Sequence, residues 1–190
     1  HFLRQNKFFL DIGLPDTFEL SQHTINRPKR CLFLDRDNTI NYDKGYTHKP
    51  SDLRFTPQII NLMVLAKSLD FLIIVVSNQS GIGRGFYDEN DLWNFHYNMQ
   101  SALIESNVNI DALYFCPHLP KPKDSCGCRK PRTGLMNDII NDWNIDIDSS
   151  IFIGDSEIDK QFAEKSNISK FNYIQEILDH KDVKNIFNFL

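Results

Sequence analysis

Short apolar runs alternate with helical patterns along most of this chain, and that alternation restricts the fold more than any other feature. The runs are Cys31–Leu34, Phe71–Val76, Ala112–Phe115, Ile151–Ile153 and, more weakly, Lys170–Tyr173. Between them, Gln58–Leu69, Glu89–Ser106, Gly134–Trp143 and Ile158–Lys165 read as amphipathic helices. In the first of these, Ile59, Leu62, Met63 and Ala66 recur at helical spacing. Strands that alternate with helices imply βαβ units on a parallel sheet. Right-handed crossovers then place helices on both faces. The expected architecture is a Rossmann-like three-layer α/β sandwich around a central parallel sheet. The 190 residues are enough for one such domain with a sizeable core.

Ligands of open α/β sheets bind at the carboxyl ends of the strands, so the residues after each run carry the functional information. The first run ends in Asp35-Arg36-Asp37-Asn38-Thr39. Carboxylates at the end of a buried strand cost free energy unless their charge is offset. They are either solvated loop residues or they face a cation. The second run leads into Ser77-Asn78-Gln79-Ser80 and the glycine-rich Gly81-Ile82-Gly83-Arg84-Gly85. The third leads into a Cys/His cluster that ends in Arg129-Lys130-Pro131, and the fourth into Gly154-Asp155.

Three aspartates, a hydroxyl, a lysine and a glycine-rich loop on one rim suit phosphoryl transfer. A carboxylate can attack phosphorus and form an aspartyl-phosphate. A second can protonate the leaving oxygen and later activate water. Magnesium takes hard oxygen ligands, and lysine with backbone N–H groups offsets charge on the transferred group. Taken singly, each signal has a plainer reading. A lone Asp-x-Asp is commonly a surface turn, the glycine-rich stretch a flexible loop, and Arg84 a solvated charge. It is the conjunction at successive strand ends that favours catalysis.

Cys31 reads as a small buried apolar residue. Cys116, His118, Cys126 and Cys128 together supply the donor count of a closed tetrahedral zinc site, which has a structural role. Such a site would pin a loop containing Pro117, Pro120 and Pro122 and set Arg129 and Lys130 at the rim. The alternative is a set of reduced cysteines beside a surface histidine. His48 and His96 are read as lying outside any ligand set.

The formal net charge of −4 gives no basic footprint for nucleic acid. The longest purely apolar run, Phe71–Val76, is too short to cross a bilayer. No signal-peptide pattern opens the chain, and the cytoplasm is the expected compartment.

The motifs Asp35-x-Asp37-x-Thr39, Ser77, Lys130 and Asp155 resemble, in order, those of the haloacid dehalogenase-like phosphatases. "FLDRDNTIN", "SNQSGIGRG", "CPH…CGCRKP" and "GDSEID" resemble the D-glycero-D-manno-heptose-1,7-bisphosphate 7-phosphatase branch. The likeness spans residues 31 to about 165. It implies a capless phosphatase with Asp35 as nucleophile and Asp37 as general acid/base. It also implies that Ser77 and Lys130 hold the phosphoryl group. Magnesium would be bound by Asp35, the backbone carbonyl of Asp37, and Asp155, and zinc by the Cys/His loop. By the same likeness Asp43, Lys44, Gly45, Tyr46, Asn78, Gln79, Ser80 and Arg129 contact a sugar bisphosphate. Two residues depart from the family pattern. Asn38 stands where glycine is usual, and asparagine tolerates the positive φ that the turn needs. Ser156 replaces a frequent lysine, which removes one contact to substrate or metal. The rival activities are a histidinol-phosphate phosphatase, or a catalytically idle phosphosugar-binding or scaffold domain.

Residues 1–29 differ from the rest. "FFLDIGLPDTFELSQ" resembles the tail of sugar-phosphate nucleotidyltransferases, although Leu14 replaces the usual threonine. With His1 rather than Met at the start, the expectation is a piece of a nucleotidyltransferase–phosphatase fusion. The phosphatase domain would then occupy residues 30–190.

Overall fold

The computed structural model describes residues 27–120, 126–178 and 183–187. The expected appendage lies almost wholly outside these residues, as does Pro122 of the cysteine loop. Strands β1 (Cys31–Leu34), β2 (Leu72–Asn78), β3 (Ala112–Cys116), β4 (Ile151–Gly154) and β5 (Lys170–Tyr173) form one five-stranded sheet in the order β3-β2-β1-β4-β5. All four pairings are parallel.

Helices α1 (Ile59–Ser68), α2 (Ser80–Gly83), α3 (Glu89–Ile104), α4 (Gly134–Asp142), α5 (Glu157–Lys165) and α6 (Ile174–Leu178) fill the connections. Alternate strand residues point to opposite faces, which splits the core in two. Leu32, Leu34, Ile73 and Val75 meet α1 and α3 through Ile59, Met63, Phe95 and Met99. Cys31, Phe33, Ile74 and Val76 meet α4 and α5 through Leu135, Ile139 and Phe162. This is the three-layer sandwich expected from the alternation.

Several boundaries differ by a residue or two from the sequence reading. Strand β2 starts one residue later and runs on through Ser77 and Asn78, because these still pair with Phe115 and Cys116 of β3. Helix α1 begins at Ile59, since Gln58 has φ 61°. The start of the glycine-rich stretch is not a loop but the short turn of helix α2. Helix α3 opens with a reciprocal cap, in which Asp88 and Asp91 each accept from the other's backbone N–H.

Strand order reverses beside β1: the chain builds outward to β2 and β3, then crosses to β4 and β5 on the other side. In doubly wound sheets that switch point is where a crevice opens at the carboxyl ends. Among the described residues, no helix is long and apolar enough to cross a membrane.

Candidate active site

Asp35 follows β1 directly, and its backbone N–H donates to the carbonyl of Ile153 on β4. That bond carries the strand geometry one residue past the sheet and fixes the carboxylate at the crevice. Lys130 reaches it from the other side of the fold. Its Nζ donates to Asp35 Oδ1 at 2.7 Å, to Asp159 Oδ1 at 2.6 Å and to the Val76 carbonyl at 2.6 Å. The ammonium is therefore saturated and almost wholly enclosed, with a side-chain exposure of 2%. Asn78 holds the Lys130 backbone by a reciprocal pair, 3.0 Å and 3.2 Å.

Asp35, Asp155 and Asp159 bring carboxylate oxygens within 4.8 Å of one another. Three carboxylates against one ammonium leave an excess of two negative charges. The excess shows in the proton affinities. Burial, with Asp159 and Asp37 nearby, raises Asp35 to about 7 despite the pull of Lys130. Burial, then Asp159, raises Asp155 to about 6. Burial would lower Lys130, but Asp35 and Asp159 outweigh it and raise the ammonium's pKa.

Asp37 is held differently. The Arg36 guanidinium grips its carboxylate through Nε at 3.0 Å and Nη2 at 2.8 Å. Gln79 Nε2 adds a bond to Oδ2 at 2.8 Å. Arg36 also donates to the Thr47 carbonyl and lies over the Phe95 ring, so a buried arginine ties Asp37 to the loop at 43–47. The turn that follows depends on Asn38, whose φ of 58° is the positive value expected of it.

A second cluster lies beyond β3. Cys116 Sγ is 3.1 Å from Cys128 Sγ and 4.0 Å from Cys126 Sγ, and His118 Nδ1 is 3.2 Å from Cys128 Sγ. Donor atoms about 2.3 Å from a tetrahedral zinc are separated by about 3.8 Å, so this quartet fits such an ion. Burial, then the neighbouring Cys128 thiol, pushes Cys116 up to about 12. A cation bound here would take up the thiolate forms of these residues.

The chain is similar to known proteins over most of its length. Residues 30–175 match the sequence profile of the family described as polynucleotide kinase 3 phosphatase. "Probable D-glycero-D-manno-heptose-1,7-bisphosphate 7-phosphatase" of Thermoplasma volcanium is 47% identical, covering 72% of this chain and 92% of its own. D-glycero-alpha-D-manno-heptose-1,7-bisphosphate 7-phosphatase of Campylobacter jejuni is 34% identical, covering 84% and 95%. The chain belongs to the haloacid dehalogenase-like phosphatases of this heptose-bisphosphatase type. Among solved structures, D,D-heptose 1,7-bisphosphate phosphatase from B. bronchiseptica, complexed with magnesium and phosphate, superposes with a TM-score of 0.67. It is 30% identical and covers 76% of this chain and 78% of its own.

Measured against that family resemblance, the structure brings Asp35, Asp37, Ser77, Lys130 and Asp155 to one rim. It sets the expected substrate residues out less uniformly. Asp43, Lys44, Gly45 and Tyr46 form a turn in which Asp43 Oδ1 accepts from the Thr47 N–H and the Lys44 N–H donates to Thr47 Oγ1. Tyr46 packs edge-on to Phe86. Ser80 begins α2. Arg129 donates to the His118 carbonyl, which joins the phosphatase rim to the thiol cluster. Asn78 is occupied by Lys130, and Gln79, 1% exposed, turns its amide inward. His48 and His96 join neither cluster. His48 stacks on Tyr87, and His96 is buried.

The sequence reading passed over Asp159. It sits one turn into α5 and resembles an ordinary first-turn acid. Gly154 makes room for it: a Cβ there would lie 2.4 Å from the Asp159 Cβ, so the strand end is bare to admit this carboxylate. Ser156 offers both its N–H and its hydroxyl to Asp159. The residue that replaces the family's frequent lysine thus anchors a carboxylate.

Proposed function

We propose that this phosphatase removes the 7-phosphate of a D-glycero-D-manno-heptose 1,7-bisphosphate by way of an aspartyl-phosphate on Asp35. The observation that carries the reading is Lys130, enclosed between Asp35 and Asp159 beside an Asp37 fixed by Arg36. The names and the magnesium–phosphate complex of the relatives support the substrate.

In the first step Asp35 attacks phosphorus, and the bond to the leaving oxygen breaks as Asp37 gives that oxygen a proton. In the second, Asp37 takes a proton from water, and the resulting hydroxide displaces Asp35 to give orthophosphate. The Ser77 hydroxyl would donate to the oxygens of the transferred group, and the Lys130 ammonium, its three N–H bonds taken, would offset their charge. Arg36 keeps Asp37 from swinging away between the steps.

Magnesium would be held by Asp35, Asp155 and the Asp37 carbonyl, with Asp159 close by, and would neutralise carboxylates and phosphate together. Zinc would be held by Cys116, His118, Cys126 and Cys128 in a structural role. The thiols, grouped as ligands rather than paired, support a cytoplasmic setting. The likeness of residues 8–22 to a nucleotidyltransferase tail supports a covalent fusion, in which one activity would make the sugar 1-phosphate that the other consumes.

A phosphate-release screen tests the substrate. It should include the alpha and beta heptose 1,7-bisphosphates, their 1-phosphates and histidinol phosphate, with magnesium or with EDTA. Magnesium-dependent release from a bisphosphate, leaving the 1-phosphate, is the expected result. Preference for histidinol phosphate would reassign the substrate, and release from none would leave only a phosphosugar-binding domain.

A further inference from the structure

Tyr87 lies outside every set of residues considered so far, yet it is locked in place. Its ring fills the space over Gly81, where a Cβ would come within 2.1 Å of Cε1. The His48 ring stacks on it at a centroid distance of 4.7 Å. From that position its hydroxyl donates to Gln79 Oε1 at 2.5 Å. The other end of the Gln79 amide donates twice, to Asp37 Oδ2 at 2.8 Å and to Ser77 Oγ at 2.6 Å.

The sense of these bonds is set by chemistry. Arg36 places N–H donors on Asp37, and Gln79 adds the NH2 end of its amide beside them, which leaves the amide oxygen to accept from Tyr87. Both NH2 protons are then used, and one of them occupies a lone pair of Ser77 Oγ. A serine hydroxyl that accepts on one side has its own proton free for another acceptor. Ser77 stands at the carboxyl end of β2, on the rim with Asp35 and Lys130.

We infer that Tyr87 and Gln79 are positioning residues, an inward-facing latch that turns the Ser77 hydroxyl into a donor directed at the transferred phosphoryl group. The inference rests on the phosphatase reading above and adds two residues to it. Gln79 then serves the reaction from behind rather than as a contact to the sugar.

The test is a double-mutant cycle on the magnesium-loaded full chain, read as affinity for orthophosphate by calorimetry. Ser77→Ala and Gln79→Met should each weaken binding about tenfold, the scale of one hydrogen bond to a charged group. If Gln79 acts through Ser77, the double variant should be no more than about twofold weaker than either single one. Tyr87→Phe, which keeps the ring over Gly81, should lower kcat a few-fold with KM unchanged, and this loss should vanish in the Ser77→Ala background.

Independent losses that multiply to about a hundredfold would overturn the latch, as would a Gln79→Met protein with the wild-type phosphate affinity. Should Gln79→Met not fold, the same cycle run with Tyr87→Phe decides the matter. Failure of the phosphatase reading would look different: the wild-type chain itself would release no phosphate.

Discussion

The carboxylate centre and the thiol cluster are built on opposite plans. The first gathers Asp35, Lys130, Asp155 and Asp159 from three separate stretches of chain, and it exists only when the whole sheet is assembled. The second draws all four donors from residues 116–128. The centre holds an excess of negative charge around a buried ammonium, whereas the cluster gathers sulfur and imidazole donors. Long-range assembly gives an exchangeable, charge-strained site suited to chemistry. Local assembly gives four close donors that, with the zinc proposed for them, would form a closed staple. The two meet where Arg129 donates to His118 and Lys130 follows it in sequence.

Breaking the centre should have the largest effect. Asp35→Asn should lower phosphate release by at least about 10⁴-fold, the loss typical of a missing nucleophile. Far-ultraviolet circular dichroism should stay unchanged, since removing a carboxylate relieves repulsion. Turnover near the wild-type rate would end the covalent mechanism. Asp37→Asn comes next, with a drop of roughly 10²–10⁴-fold. Pre-steady-state kinetics should show both formation and hydrolysis of the intermediate slowed.

Breaking the staple should cost less and in a different manner. Mild EDTA should stop the wild-type enzyme, and added magnesium should restore it. Cys128→Ser should lose activity that no magnesium concentration returns, with the sheet still folded. Metal analysis should find about one zinc per wild-type chain. Active protein prepared free of zinc would remove the staple from the account.

The charge difference can be sharpened by pH. In the metal-free protein Asp35 and Asp155 have raised pKa values, about 7 and about 6 against 3.8. Between those values the folded state binds more protons than the unfolded one, so stability is full below about 4 and is lost as pH rises through 6 to 7. His96, lowered to about 4 by burial and then by Arg36, works the other way and loses stability on acidification. It does so equally with and without magnesium. The gap in melting temperature between magnesium and EDTA should therefore widen from pH 5 to pH 8. A gap independent of pH would mean that the carboxylates do not trade protons for the metal. The smallest effect is expected at the N-terminus: deleting residues 1–26 should leave turnover within a few-fold, measured by the same phosphate release.

Much of this was legible in the chain. Asp35, Asp37, Ser77, Lys130 and Asp155 could be found because each follows an apolar run, and parallel sheets put run ends together. Cys116, His118, Cys126 and Cys128 could be found because their spacing is short. Arg36 and Asp159 are buried polar residues that no local pattern marks, and burial depends on what packs over them. No local pattern shows that Tyr87 covers Gly81 or that Gly154 makes room for Asp159. Asn38 was readable for the opposite reason, since the demand for positive φ is local and the residue type answers it.

The reciprocal bonds between Asn78 and the Lys130 backbone have one further consequence. They fasten the lysine directly to the end of β2. A lineage is therefore freer to change residues elsewhere on the rim than at the Asn78 end of β2, where the lysine beside Asp35 and Asp159 is tied.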